Sequence, residues 1–181
     1  MNLYLLRHAI AVEFGSPGAA TDAERPLSPE GIKKMRKIAL GMKVLDLSFD
    51  LILSSPYVRA RETAEIVARE FASVLEFTPL LAVGGDPAAL VAEVAARSRD
   101  MSDVLLVGHE PQLSRLISHL LSGNSGLPVT MKKGGLCKLD VPRLSYSRSA
   151  ALEWLLTPSQ LARIREDTTR DGKHPGVRRR S

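Results

Sequence analysis

The chain has 181 residues, 44% of them hydrophobic and 25% charged, a balance that suits one globular domain and excludes wholesale disorder. Its one cysteine, Cys137, excludes a disulfide framework and a cysteine-rich zinc site. Residues 163–181 hold seven Lys/Arg and three acids, so they carry +4 of the net charge of +5, and the basic balance describes a tail more than a nucleic-acid-binding surface.

The longest apolar runs are about four or five residues, far below the roughly 18 that a membrane span needs. Arg7 and His8 interrupt the first run at once, unlike a signal peptide. The expectation is a cytoplasmic protein with neither nucleic acid nor membrane as partner.

Strand and helix signals then alternate. Leu3–Leu6 is a short apolar run that stops at Arg7, and a Gly-, Ala- and Pro-containing loop follows to about Leu27. Ser28 reads as an N-cap, with Pro29 at the first helical position and Glu30 in the first turn. Ile32, Met35, Ile38, Ala39 and Met42 give that helix one apolar face. Leu51–Leu53 is the next strand, ending in Ser54-Ser55-Pro56, before a helix from about Tyr57 to Phe71. Residues 76–81 are expected to hold a short strand, and Asp86-Pro87 to open another helix. Val104–Val107 is the most strongly apolar strand and ends in Gly108-His109-Glu110-Pro111. Leu113, Leu116, Ile117, Leu120 and Leu121 make one buried stripe of a further helix. Leu136–Val141 and Ala151–Leu156 read as a hairpin-like pair, and Thr157-Pro158 starts a last short helix. This order predicts an α/β fold: a three-layer α/β/α sandwich whose central sheet is mostly parallel with one antiparallel strand. The domain is expected over 1–165, with 166–181 a basic, unstructured tail.

In open α/β sheets, ligands bind beyond the carboxyl ends of the strands. Three strand ends carry polar residues suited to chemistry: Arg7-His8, Ser54-Ser55 with Arg59 a turn into the next helix, and Gly108-His109. If those strands are neighbours, two arginines and two histidines converge. Arginine offers a rigid fork of donors that matches phosphate oxygens, and helix N-termini near the same edge add N–H groups. Histidine can act as nucleophile or proton carrier. The set suits a phosphate monoester or phosphoramidate. It suits a metal poorly, because Glu110 is the one carboxylate beside the histidines and the arginines repel a cation. No Gly-rich phosphate loop or dinucleotide fingerprint is present.

The segments LYLLRHAIA, RPLSPEG, ILSSPYVRARETAEIV and VLLVGHEPQLSRL, in that order, resemble the motifs of the histidine phosphatase superfamily, branch 1, with its phosphoglycerate mutase-like fold. The subtype resembles the small SixA-type phosphohistidine phosphatases, and LEWLLTPSQL near the end is similar to that subfamily too. The resemblance covers roughly residues 1–165. It implies that His8 is the nucleophile and becomes a transient phosphohistidine. Arg7 and Arg59 would bind the phosphoryl oxygens, and His109 would complete the pocket. No metal or cofactor is implied. Two positions depart from the family pattern. Ala9 stands where many members have Gly, and Asp86 is the one acid where larger members place a Glu proton donor.

General-acid help to an alkoxide is typically worth 10²–10⁴-fold. A protonated imidazole leaves as a neutral molecule and needs less help. A pocket with a weak acid is therefore expected to favour phosphohistidine on a protein partner. Small phosphorylated metabolites or nucleotides are the alternative substrates, and a phosphate-binding module without turnover is a third reading. Ser55 could offer its hydroxyl to the pocket or cap the following helix. Arg25 could be structural or reach the cleft, and Asp86 could be a plain helix cap. Arg61 is expected on a helix surface, His119 as a structural or solvated helix residue, His174 in the tail, and Cys137 as a small buried hydrophobe.

Overall fold

Alternation of side chains along each central strand gives the sheet two apolar faces, and both are covered. The computed structural model describes residues 1–171, with backbone alone for 165–171. The described strands are β1 (Asn2–Arg7), β2 (Leu51–Ser54), β3 (Val74–Phe77), β4 (Asp103–Gly108), β5 (Leu136–Asp140) and β6 (Ala151–Leu156). They form one sheet in the order β3-β2-β4-β1-β5-β6. Strands β1 to β4 pair in parallel, while β5 is antiparallel to both β1 and β6. Strand β5 alone therefore runs against the rest, in agreement with the expected mixed sheet.

Helices α1 (Pro29–Val44), α2 (Val58–Phe71) and α5 (Pro158–Asp171) cover one face, and α3 (Pro87–Arg97) and α4 (Gln112–Ser122) the other. Leu3, Leu5, Leu53 and Leu106 point toward Leu90, Val94, Leu116 and Leu120. Tyr4, Leu6, Ile52 and Leu105 point the opposite way, toward Met35, Ile38, Ala64, Val67 and Leu161. This is the three-layer α/β/α sandwich expected from the sequence. Among the described residues no helix is long and apolar enough to cross a membrane.

Local signals place most helix starts. The Ser28 hydroxyl accepts from the Gly31 N–H at 3.0 Å with Pro29 next to it, and Asp86 caps α3 by accepting from the Ala88 N–H at 2.9 Å. The third strand differs from expectation. It lies at Val74–Phe77, because Thr78-Pro79 stops the ladder and turns the chain into a short 3₁₀ helix at Pro79–Leu81. The loop after β1 also holds an unexpected 3₁₀ turn at Asp22–Glu24. The backbone of α5 continues to Asp171. Residues 172–181, most of the basic tail and His174 with it, lie outside the described residues.

Gly31 ties the fold to the loop that follows β1. The Ser28 N–H donates to the Ile10 carbonyl at 2.9 Å, and a Cβ on Gly31 would collide with that same carbonyl oxygen. Gly31→Ala gains helix propensity of up to about 1 kcal/mol, but the overpacking is expected to cost more, about 2–3 kcal/mol in all. Chemical denaturation checks the prediction, and an unchanged unfolding midpoint would contradict it.

Candidate active site

Three parallel neighbours, β2, β4 and β1, end together. Arg7 lies opposite Gly108, and Ser54 opposite Val107. The ladder continues one step past the strands: His8 N–H donates to the Gly108 carbonyl at 3.1 Å, and Ser55 N–H to the Val107 carbonyl at 2.9 Å. His8, Ser55 and His109 are thereby brought to one edge. The adjacency expected from the sequence holds. The rings of His8 and His109 are 5.0 Å apart.

His8 is oriented by two bonds. Its Nδ1 lies 2.7 Å from the Ala9 carbonyl oxygen, which can only accept, so Nδ1 carries the proton. Nε2 is left with a lone pair and accepts from Arg59 Nε at 3.2 Å. The ring is 6% exposed, and burial drives its pKa down to about 3, with His109, Arg59 and Arg7 adding repulsion. His8 is a neutral imidazole at neutral pH.

Thr63 supports this arrangement from α2. Its hydroxyl donates to the Arg59 carbonyl at 2.7 Å and accepts from Ala9 N–H at 3.0 Å. One turn of α2 thus holds both the loop carrying His8 and the backbone of Arg59. Thr63 is fully buried, and the sequence pattern does not single it out. Its signal is a small hydroxyl four residues after Arg59, facing inward between Ala60 and Ala64.

Ser55 takes the capping role, and its hydroxyl is turned to His109. Its Oγ accepts from Tyr57 N–H at 3.2 Å, near the start of α2, and lies 2.8 Å from His109 Nε2. The buried hydroxyl has its proton left to donate, and His109 Nε2 is the acceptor at hand. His109 therefore carries its own proton on Nδ1, which has no partner among the described residues. Burial, and then the nearby Arg59, lower the His109 pKa to about 4. Tyr57, which sequence reasoning also misses, packs at a tilt against this ring, with centroids 5.1 Å apart, and lies under the Arg59 guanidinium at 5.3 Å.

Arg7 donates through Nη1 to the Met131 carbonyl at 2.7 Å, while its buried Nε has no partner among the described residues. Burial lowers the Arg7 pKa, and Glu110 works the other way. Arg59 is 4% exposed and reaches Asp22 through Nη1 to the backbone carbonyl and through Nη2 to Oδ2 at 2.9 Å. Asp22 Oδ1 also accepts from Arg25 Nη1 at 2.8 Å. Burial works to raise the Asp22 pKa, but the bonds from Arg25 and Arg59 prevail and hold it low. Sequence reasoning misses Asp22 too. Its signal lies in Thr21-Asp22-Ala23-Glu24, which has the S/T-x-x-E spacing of a capping box.

Two candidates lie apart from the cluster. Arg25 spends Nε and Nη2 on the Val12 carbonyl and meets the cluster only through Asp22. Asp86 is exposed, caps α3, and has no bond or ion pair with the histidines or Arg59. The acid expected there is placed as a helix cap. Arg61 pairs with Glu65 on the surface of α2, as expected. His119 stacks on Tyr146 at 3.7 Å. Among the described residues no group of three or more His, Cys, Asp or Glu is placed to hold a metal ion.

Two neutral imidazoles and two arginines at one sheet edge are equipped for phosphoryl chemistry, and comparison with known proteins agrees. Residues 3–82 match the family model of the histidine phosphatase superfamily (branch 1). An uncharacterized protein of Picosynechococcus sp. is 33% identical over 141 residues, covering 77% of this chain and 84% of the relative. The chain belongs to the histidine phosphatase superfamily and is a phosphatase. Within that class its likeness is to the SixA type. Phosphohistidine phosphatase SixA of Escherichia coli K12 is 27% identical over 164 residues, covering 89% of this chain and 96% of that one. The solved structure of the protein histidine phosphatase SixA complexed with tungstate superposes with a TM-score of 0.76 at 26% identity, covering 89% of this chain and 99% of that one.

The two low histidine pKa values fix a pH dependence. Below about pH 6.5 the unfolded chain binds protons that folded His8 and His109 refuse until about pH 3 and 4. Stability is therefore expected to fall as pH drops from 6.5 toward 4, by up to roughly 1.4 kcal/mol per pH unit for each histidine. Urea unfolding across that range tests it, and His109→Gln should flatten the slope.

Proposed function

We propose that the chain hydrolyses phosphohistidine on a protein partner through a phosphorylated His8. The observation that carries the phosphoryl site is a pair of buried, unpartnered donors in the cluster, Arg7 Nε and His109 Nδ1. A buried donor without an acceptor costs about 1–3 kcal/mol, so a site that keeps two of them favours an acceptor-rich ligand. Phosphoryl oxygens are such a ligand. The tungstate held by SixA, an oxyanion of similar shape, points the same way.

In this reading His8 Nε2 attacks phosphorus as the bond to the leaving group breaks. Arg7, Arg59 and the His109 Nδ1–H take the equatorial oxygens, where positioning and charge neutralisation do most of the work. The Ala9 carbonyl keeps the His8 proton on Nδ1, so Nε2 meets phosphorus as a free lone pair. Water then attacks phospho-His8, releases inorganic phosphate and returns the imidazole. Arg59 Nε must leave the lone pair before attack, and an arriving oxyanion draws it away.

The substrate preference rests on the leaving group. Asp86 is occupied as the α3 cap, which weakens it as a proton donor to an alkoxide. Phosphohistidine leaves as neutral imidazole once its ring is protonated, and demands less of the site. Beside His109, a cleft of about 300 Å³ is walled by Val83, Pro87 and Pro111, with Glu110 and Arg115 also lining it. That wall offers apolar surface to a protein partner. The similarity to SixA supports the same choice.

The test is turnover, in EDTA, of a phosphohistidine-bearing protein beside p-nitrophenyl phosphate. Wild type is expected to favour phosphohistidine, and His8→Ala to lose at least about a thousandfold in kcat. Arg59→Ala is expected to lose about 10²–10³-fold. Preference for alkyl or aryl phosphates would move the substrate to small metabolites. Full activity of His8→Ala would remove the nucleophile assigned here.

A further inference from the structure

Every donor-bearing atom of the Arg59 guanidinium already has a partner. Nε donates to His8 Nε2, Nη1 to the Asp22 carbonyl and Nη2 to Asp22 Oδ2. A guanidinium takes an oxyanion bidentately along one of its edges, and each edge here includes an atom in use. A phosphoryl group bound across the Nε edge displaces His8, and one bound across the Nη1–Nη2 edge competes with Asp22 for both nitrogens.

The two sides of the Arg59–Asp22 pair differ in freedom. The Arg59 side chain is 5% exposed and is fixed by its surroundings, whereas the Asp22 side chain is 47% exposed. Asp22 can swing into water at little cost. It also keeps a second partner, Arg25, whose remaining nitrogens stay on the Val12 carbonyl. The carboxylate is thus tethered within reach of Arg59 and is free to leave it.

We propose that Asp22 sets the anion affinity of the site: its carboxylate competes with the phosphoryl group for Arg59 and reclaims the guanidinium as product phosphate departs. This rests on the reading of Arg59 as a phosphoryl ligand. A buried site with two arginines and no competitor would hold inorganic phosphate and turn over slowly. An internal carboxylate lowers that affinity for substrate and product alike, and repels the phosphate oxygens when both are present.

The experiment is calorimetric titration with inorganic phosphate of wild type, Asp22→Asn and Asp22→Glu, paired with steady-state kinetics. Asp22→Asn removes the charge and leaves the turn intact. The turn is held separately by Thr21 N–H and Oγ–H on Glu24 Oε2, and by Arg25 on Val12. Asp22→Asn is expected to bind phosphate about tenfold tighter, the combined size of one half-exposed ion pair and the relieved repulsion. KM and the phosphate inhibition constant should fall together, with no rise in kcat. Asp22→Glu keeps the charge and should bind phosphate within about threefold of wild type. A loosened loop would weaken phosphate binding, so tightening is a result that damage cannot mimic.

Unchanged or weaker phosphate binding by Asp22→Asn, with wild type binding normally, overturns the proposal and leaves the site reading standing. So does a loss of kcat with KM and phosphate affinity unchanged, which would mark Asp22 as a proton-transfer group. Absence of phosphate binding by wild type and both variants at millimolar concentration overturns the site reading itself, and this proposal with it.

Discussion

The hydrogen bond from His8 N–H to the Gly108 carbonyl is the constraint on which the site depends. It extends the β1–β4 ladder one residue past the last strand pair, so the backbone of His8 is held as firmly as the sheet. Ser55 is held by the same device on the other side of β4. A residue one step beyond a parallel strand has little choice of direction, and three such residues on adjacent strands must face one another. The site is an extension of the sheet more than a feature of loops. Its loop-borne member, Asp22, is also the most exposed of the groups on Arg59.

Burial and charge work together there. The arginines bring positive charge into a low-dielectric region, and the histidines beside them answer by staying neutral. Neutrality is what makes the second nitrogen of each ring useful. On His8 the Ala9 carbonyl selects Nδ1 for the proton, and on His109 the Ser55 hydroxyl selects the same atom. The two rings have opposite uses: one turns a lone pair to the site, the other an N–H. Two neutral side chains thus supply a donor and an electron pair at the cost of no net charge. Packing against Tyr57 and Thr63 keeps the orientation.

Much of this is legible in the sequence, for identifiable reasons. Arg7, His8, Ser55, Arg59 and His109 stand at strand ends or one turn into a helix, where α/β topology leaves few alternatives. The Ser28-Pro29 and Asp86-Pro87 caps are strong signals because their side chains act on backbone within three residues. Asp22 escapes because its partner Arg59 is 37 residues away, and nothing in a loop pattern reports a contact at that range. Thr63 and Tyr57 escape because each is an ordinary helix residue until the fold puts a loop or an imidazole beside it. Asp86 is the reverse case, with both a chemical and a capping role open to it in the sequence. An acid in the family's donor region invites a chemical role, but the backbone N–H of Ala88 is nearer. The third strand slips because Pro79 limits where the ladder can run, and residues 76–81 straddle it.

Cys137 lies fully buried in β5, with its thiol pushed up to about 12 by burial. It is the chain's one cysteine. Oxidants attack thiolates, and this sulfur is neither ionised nor reachable in the folded state. His8, His109, Arg7 and Arg59 bring no sulfur to the candidate site. Peroxide, which attacks thiolates, would find none among these four side chains, so the candidate site is expected to keep its geometry in oxidant.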